Sequence, residues 1–278
     1  DPNGGVNKYS YDSMGRVTES ENAVGNKKTY IYNDVGELAS QQNARGQNTT
    51  YEYYKNGWIK SFTDELGTVS YTYDGNGNVL TVTDENGTIT REYDCMNHVT
   101  KYTDFRGNTI DYSYDQIGNL VAITYPGGRI VRYTYYKTGQ IKTVTDWDGR
   151  VTSFEYDGNG RLIKTTRPEG SVEERTYDAA GRLVTIVDKN GENIINQTVY
   201  SYDESDNVTS VSMSDGTSID GLASAEMKYN AANQLVEYNG ETVEYDADGN
   251  MTYGPLNGEM VTFVYDCRNR LVSAGGIS

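Results

Sequence analysis

Residues 177–191 read YDAAGRLVTIVDKNG. The pair Tyr177 and Asp178 is followed by Gly181, then Arg182, then the run LVTIVD (183–188), which closes on a second Asp-x-x-Gly from Asp188 to Gly191. An Asp side chain can accept from the backbone two residues on, and the Gly three places later supplies a positive φ, so each Asp-x-x-Gly reads as a turn. The run between them is short, β-branched and without a helical period, which makes it a strand. A turn, a strand of about six residues and another turn describe one arm of a β-hairpin.

Outward from this stretch the same text recurs. A unit YxYDxxG(R/N)(L/V), then alternating residues, then DxxG, repeats along the whole chain. Its second Tyr falls at Tyr11, Tyr32, Tyr53, Tyr73, Tyr93, Tyr114, Tyr135, Tyr156, Tyr177, Tyr202, Tyr229, Tyr245 and Tyr265. The first nine lie 20 or 21 residues apart. Self-similarity at this period marks a repeat architecture. The other half of the unit is a strand too: in VSYTYD (69–74), TIDYSYD (109–115) and VTSFEYD (151–157) the aromatics sit two residues apart and share one face. Strict alternation places Val79, Leu120, Leu162 and Leu183 on one face, and the residues one and three further on, such as Leu80 with Val82 or Val184 with Ile186, on the other.

Two strands per unit give an antiparallel meander of roughly 26 strands, which at about 4.8 Å each would make a flat ribbon roughly 125 Å wide and about 20 Å tall. Twist prevents a sheet beyond about ten strands from staying flat. Curled into a ring, the ribbon would be roughly 40 Å across, too wide for side chains to fill. The expected fold is all-β: a long antiparallel meander of repeated hairpins curling into a spiralling hollow shell or open barrel. The regular array covers 1–211, an irregular insertion covers 212–228, and irregular terminal repeats cover 229–278. Asp1 to Gly4 reads as the closing turn of an earlier unit, and the chain stops before the next YxYD is due, so a fragment of a longer array is expected.

Composition fits a wall better than a solid core. Leu, Ile, Val and Phe together number 51 of 278 residues, about 18% of the chain, below the roughly 20% at which high net charge suggests disorder. Yet the chain carries 26 Tyr, 30 Gly and only 4 Pro, and disordered segments are poor in aromatics. The net charge of −16 and a pI near 4.5 are the wrong footprint for nucleic acid or an anionic membrane. No apolar stretch approaches the roughly 18 residues of a membrane span, and the opening residues show no charged-then-apolar pattern, so secretion is not read from them. No nucleic-acid partner and no membrane insertion are expected.

The stretches YDGNGNVLTVTDENG (73–87), YDGNGRLIKTTRPEG (156–170) and YDAAGRLVTIVDKNG (177–191) resemble the YD repeats of the Rhs family. That family includes bacterial wall-associated and polymorphic toxin proteins, C components of insecticidal toxin complexes, and teneurins. YDADGNMT (245–252) and YDCRNRLVSAGG (265–276) look like the stretch before the family's core region. The resemblance implies a spiralling β-shell, secreted or at the cell surface, around the protein's own C-terminal toxin or other C-terminal segment. Some relatives cleave themselves at a DPxGL core motif; here Asp1 and Pro2 continue as NGG, so self-cleavage carries over to no residue.

Candidate chemistry is sparse. His98, the single histidine, sits in the Arg/Asn slot of the fifth unit, where turn geometry accounts for it. Carboxylates recur at every turn instead of converging, which argues for turn capping over acid–base work. Asp246, Asp248 and Asn250, like Asp74, Asn76 and Asn78, space oxygen ligands as a calcium loop does, but Met251 and Val79 stand where an EF-hand has Gly. Asn48, Asn86, Asn196, Asn207 and Asn250 head sequons. Cys95 and Cys267 occupy equivalent turn slots and are expected to be free thiols. No catalytic, cofactor-binding or metal-binding residue is assigned, and no cofactor is expected. The chain reads as a non-catalytic segment of a β-shell that encloses or presents a C-terminal toxin or effector, its partners being its flanking repeats and that domain. The alternative is a cell-surface glycan or cell-wall binding module. Such arrays carry Trp in most units, whereas here only Trp58 and Trp147 occur.

Overall fold

The structure, a computed structural model, describes residues 5–213, 226–230 and 232–277. The opening Asp1–Gly4 turn and most of the 212–228 insertion lie outside these residues. Among the described residues every regular element is a strand and there is no helix. Twenty strands, from Lys8–Tyr11 to Val208–Met213, form one sheet in which each pairs antiparallel with the next along the chain. The terminal repeats form a three-stranded sheet (Met227–Tyr229, Leu235–Tyr238, Glu241–Thr242) and a four-stranded one from Glu244–Tyr245 to Leu271–Ala274. The meander is therefore all-β as expected, with its ladder divided into three sheets. Two compact units are distinguished: Asp1–Ile89 together with Ala223–Ser278, and Thr90–Leu222.

The local reason for the hairpins lies in the first turn. Asp74 N–H donates to Asn78 O (3.0 Å) and Gly77 N–H to Asp74 O (3.3 Å), with Gly77 at φ 93°. Where a unit lacks that Gly, Asn97, Asp206, Asn233 and Asn269 hold the same left-handed slot at φ 59° to 66°. Asn and Asp are the residues that tolerate this conformation best after Gly.

The turn also corrects the expected face assignment. Thr72 pairs with Thr81 but Tyr73 pairs with Val79, so Leu80 is an extra residue, a β-bulge. The same shift recurs at Tyr114/Leu120, Tyr135/Ile141, Tyr156/Leu162 and Tyr177/Leu183. One extra residue reverses the parity of everything after it. Val79 and Val82, facing Tyr73 and Tyr71, therefore share one face instead of lying on opposite faces. That face is aromatic and aliphatic. The other is threonine: Thr72–Thr81, Thr134–Thr143 and Thr176–Thr185 pair hydroxyl to hydroxyl at 2.6 to 2.7 Å in exposed positions.

Burial is shallow throughout. Among the described residues the buried aliphatics are Val69, Val131 and Val243, and no residue is enclosed completely, backbone and side chain together. The strand Leu120–Tyr125 is half-buried at every position, and Gly67–Tyr73 is half-buried at both tyrosines. Cohesion comes from cross-strand pairs, each contributing roughly 0.2 to 1 kcal/mol, summed along the sheet.

Candidate functional site

What the sequence repeats most faithfully is a mechanism for joining one unit to the next. The turn Asp supplies one oxygen to the backbone: Asp157 Oδ1 accepts from Asn159 N–H and Arg161 N–H, both at 2.9 Å. Its other oxygen takes the side chain four residues on, Arg161 Nε to Asp157 Oδ2 at 2.7 Å. The backbone N–H of Arg161, then its guanidinium, hold the Asp157 carboxyl below its ordinary value of 3.8. The partner at the fourth position matches the polarity of the first. Asp12, Asp74 and Asp178 face the donors Arg16, Asn78 and Arg182, whereas Asn33 and Asn230 donate through Nδ2 to Glu37 and Gln234. An acceptor–donor pair closes the turn in either polarity.

The fourth-position side chain then lies on the second Tyr of the following unit. Arg16 sits 4.6 Å from the Tyr32 ring centre, Arg161 4.6 Å from Tyr177 and Arg182 4.9 Å from Tyr202. That Tyr donates its hydroxyl to the carbonyl just after the slot: Tyr32 to Val17, Tyr114 to Val99 and Tyr177 to Leu162, each at 2.9 Å. Burial pushes the Tyr114 phenol up from its ordinary value of 10.0. A phenylalanine could fill the space but would leave the carbonyl unmet, which is why the repeat calls for Tyr.

The singled-out residues fall into this scheme. His98 places Nδ1 3.0 Å from Asp94 Oδ2 and stacks on Tyr114 with ring centres 4.6 Å apart, as Arg does in other units. Asp74 and Asp246 turn their carboxylates back onto their own turns, at Asn76 and Asn78 and at Asp248 and Asn250. No group of three or more His, Cys, Asp or Glu side chains suited to a metal occurs among the described residues. Cys95 and Cys267 are both free. Trp58 lies 5.1 Å from Tyr73, and Trp147 meets Tyr125 edge-on at 6.2 Å.

A set of residues that the sequence reading did not assign forms a clasp within the first unit. Arg45, in the turn after the strand Leu38–Gln42, reaches the terminal repeats: Nε donates to Asp248 Oδ2 (2.7 Å), and Nη2 donates to Asp266 O and Asn269 Oδ1, both 2.8 Å. Ala44 N–H donates to the other Asp248 oxygen at 3.0 Å, and the Asp248 side chain is 0% exposed. Beside it, Arg268 grips Asp64 with Nε at 2.6 Å and Nη2 at 3.0 Å, and lies 5.1 Å from the Phe62 ring centre. Asp64 is 6% exposed, and the hydrogen bonds from Arg268 hold its carboxyl below the ordinary 3.8. A cleft of about 580 Å³ adjoins this pair, lined by Tyr51, Phe62, Tyr71, Cys267 and Arg268 among others. The sequence does carry a signal for the clasp. The residue before the left-handed turn position is charged in only two of the thirteen first turns, as Asp248 and Arg268.

Hairpins joined by Asp-closed turns, tyrosine-to-carbonyl bonds and stacked slot residues define a tandem-repeat structural β-protein, a wall built of like units. The chain belongs to the RHS repeat family, which matches it over residues 53–89, 73–109, 93–130, 135–172 and 177–218, more than half its length. No curated protein matches the sequence. Among solved structures it is similar to TcdB2-TccC3 without its hypervariable C-terminal region (TM-score 0.64) and to the Photorhabdus luminescens Tc holotoxin pore carrying a TccC3 mutation (TM-score 0.66). It is also similar to TcdB2-TccC3 itself (TM-score 0.65). In each case the identity is 17%, and the likeness covers 96% of this chain but 17% of the other, so it speaks for the fold. The chain spans about a sixth of the length of those chains.

Proposed function

We propose that this chain is a non-catalytic wall segment of a shell that encloses or presents a C-terminal toxin or effector domain of a secreted or cell-surface protein. The observation that carries the reading is a twenty-stranded sheet in which no described residue is fully enclosed. Such a sheet is built to bound space instead of filling it. The turn carboxylates support the same reading, because their oxygens are occupied by their own backbone and fourth-position partners. Similarity in fold to toxin-complex proteins supports a toxin or effector as the cargo in this reading.

The test uses the parent protein with whatever follows these repeats. Its C-terminal domain should be cut by a non-specific protease at least tenfold more slowly in the intact parent than when expressed alone. Equal cleavage in both would sink the enclosure. Hydrolysis of any substrate by the purified repeat segment would sink the non-catalytic assignment.

A further inference from the structure

The clasp poses a problem that a repetitive wall creates for itself. Unit for unit, the turns offer nearly identical shapes, so terminal repeats could dock one unit too early or too late at little cost in packing. The observed register sets the turn Asp246–Asn250 against Arg45 and the turn Asp266–Arg270 against Asp64. The next turn along offers the same seat again. Residues 63–68 read TDELGT and residues 83–88 read TDENGT. Thr63–Thr68 and Thr83–Thr88 pair at 2.8 and 2.9 Å, and Asp64 and Asp84 accept from Leu66 and Asn86 N–H at 2.9 and 2.8 Å. Asp84 has no arginine on it, and its carboxyl is held low first by Asn86 N–H and only last by the Arg268 charge. The carboxylate contact of Arg268 is therefore open to it at either turn, and only the Phe62 ring, replaced by Val82 at the second, distinguishes the two seats through Arg268.

We propose that the two clasp pairs, Arg45 with Asp248 and Asp64 with Arg268, form a charge code that fixes the docking register of the terminal repeats on the array. A slip of one unit forward gives Arg268 the equivalent carboxylate at Asp84 but sets Asp248 at Leu66, in the acidic turn that carries Asp64 and holds no cation. A slip of one unit backward sets Arg268 at Asn43, in the turn that carries Arg45, and leaves Asp248 at Val24. Either slip brings like charges to one turn, at a site where Asp248 and Asp64 are almost wholly removed from water, and like charges brought together are costly there. Arg45–Asp248 is the discriminating pair, because it removes the ambiguity that Arg268 leaves. The code concerns the wall's own assembly and holds whatever the wall encloses.

The native thiol at Cys267, next to Arg268, provides the readout. In a Cys95→Ser background, Glu65→Cys and Glu85→Cys place a second thiol at the same position of the two competing turns. A short bis-maleimide should join Cys267 to position 65 at least tenfold more than to position 85. Asp248→Asn, which removes both the attraction to Arg45 and the repulsion from the turn that carries Asp64, should bring that ratio below threefold. Arg45→Gln, which removes the attraction alone, should give an intermediate ratio, and Arg268→Ala should leave the preference for 65 in place. Circular dichroism establishes that each variant is folded, and Arg45→Gln carries the test if Asp248→Asn is not. Equal cross-linking in the starting protein, or a ratio unmoved in the folded Asp248→Asn or Arg45→Gln variant, would overturn the code.

Discussion

The turns at Asp178 and Asp246 are built from the same parts and do different things. In both, Oδ1 accepts the fourth-position backbone N–H at 2.9 Å and Oδ2 takes that residue's side chain, Arg182 at 2.7 Å or Asn250 at 2.8 Å. The difference is the third residue. Ala180 ends in solvent, whereas Asp248 is fully covered by the clasp. Within one repeat, then, the Asp and the residue four on fold the turn, and the residue two on is free to carry an address. The clasp depends on residues more than 200 apart, while the array depends on neighbours one unit away.

The largest effect should come from breaking the clasp. Arg268→Ala strands the Asp64 carboxylate at a covered site, and removing one partner of a buried pair is strongly destabilising, here by about 3 kcal/mol. Each compact unit contains one tryptophan, Trp58 in the first and Trp147 in the second. Urea unfolding of the single-tryptophan variants Trp147→Phe and Trp58→Phe should therefore show the Trp58 transition moved and the Trp147 transition unmoved. A common shift would mean that the clasp stabilises the whole chain, and the contrast between long-range and local cohesion would be lost.

Acid should reach the same site. Asp64 has a lowered native pKa, so its contribution to stability is fully present above the ordinary value of 3.8 and is lost as pH falls through the lowered native value. Below pH 3.8 the Trp58 transition should weaken more in the unsubstituted chain than in Asp64→Asn, which has already lost that ionisation. Parallel acid curves for the two would show that the pair contributes no linkage.

A smaller loss, confined to the second unit, is expected from Tyr114→Phe. The ring stays against His98 while the bond to Val99 O disappears, at a cost of about 1 kcal/mol in the Trp147 transition. If this single hydroxyl cost as much as Arg268→Ala, the array would not be the sum of modest neighbour contacts described above.

These two sites also show what the sequence made legible. Strand and turn positions followed from Asp, Gly and the spacing of Tyr, because each is a local requirement that every unit restates. The side-chain parity did not, because the bulge at Leu80 adds a residue without changing the composition that alternation reads. The tyrosine-to-carbonyl bond was hidden in a preference for Tyr over Phe that β-propensity alone explains equally well. The clasp was harder still. A lone Arg45 in a turn looks like a solvated surface charge, and only its docking opposite Asp248 gives it a role. The exception among first-turn tips, charged at Asp248 and Arg268 alone, was visible in the sequence, but its meaning depended on which turns meet.

The threonine face provides the finest division between the two kinds of cohesion. Thr176 and Thr185 face each other across the strands Ser171–Tyr177 and Leu183–Asn190, with their hydroxyls 2.7 Å apart in an exposed position. Water competes for both groups, and Thr176→Val keeps the β-branched shape that suits a strand, so only the cross-strand hydroxyl bond is given up. The expected loss is about 0.5 kcal/mol in the Trp147 transition, half that of Tyr114→Phe in the same unit. A loss equal to that of the tyrosine would mean that the exposed face binds the units together as strongly as the aromatic one. The wall would then be symmetric in cohesion, although its two faces differ so sharply in chemistry.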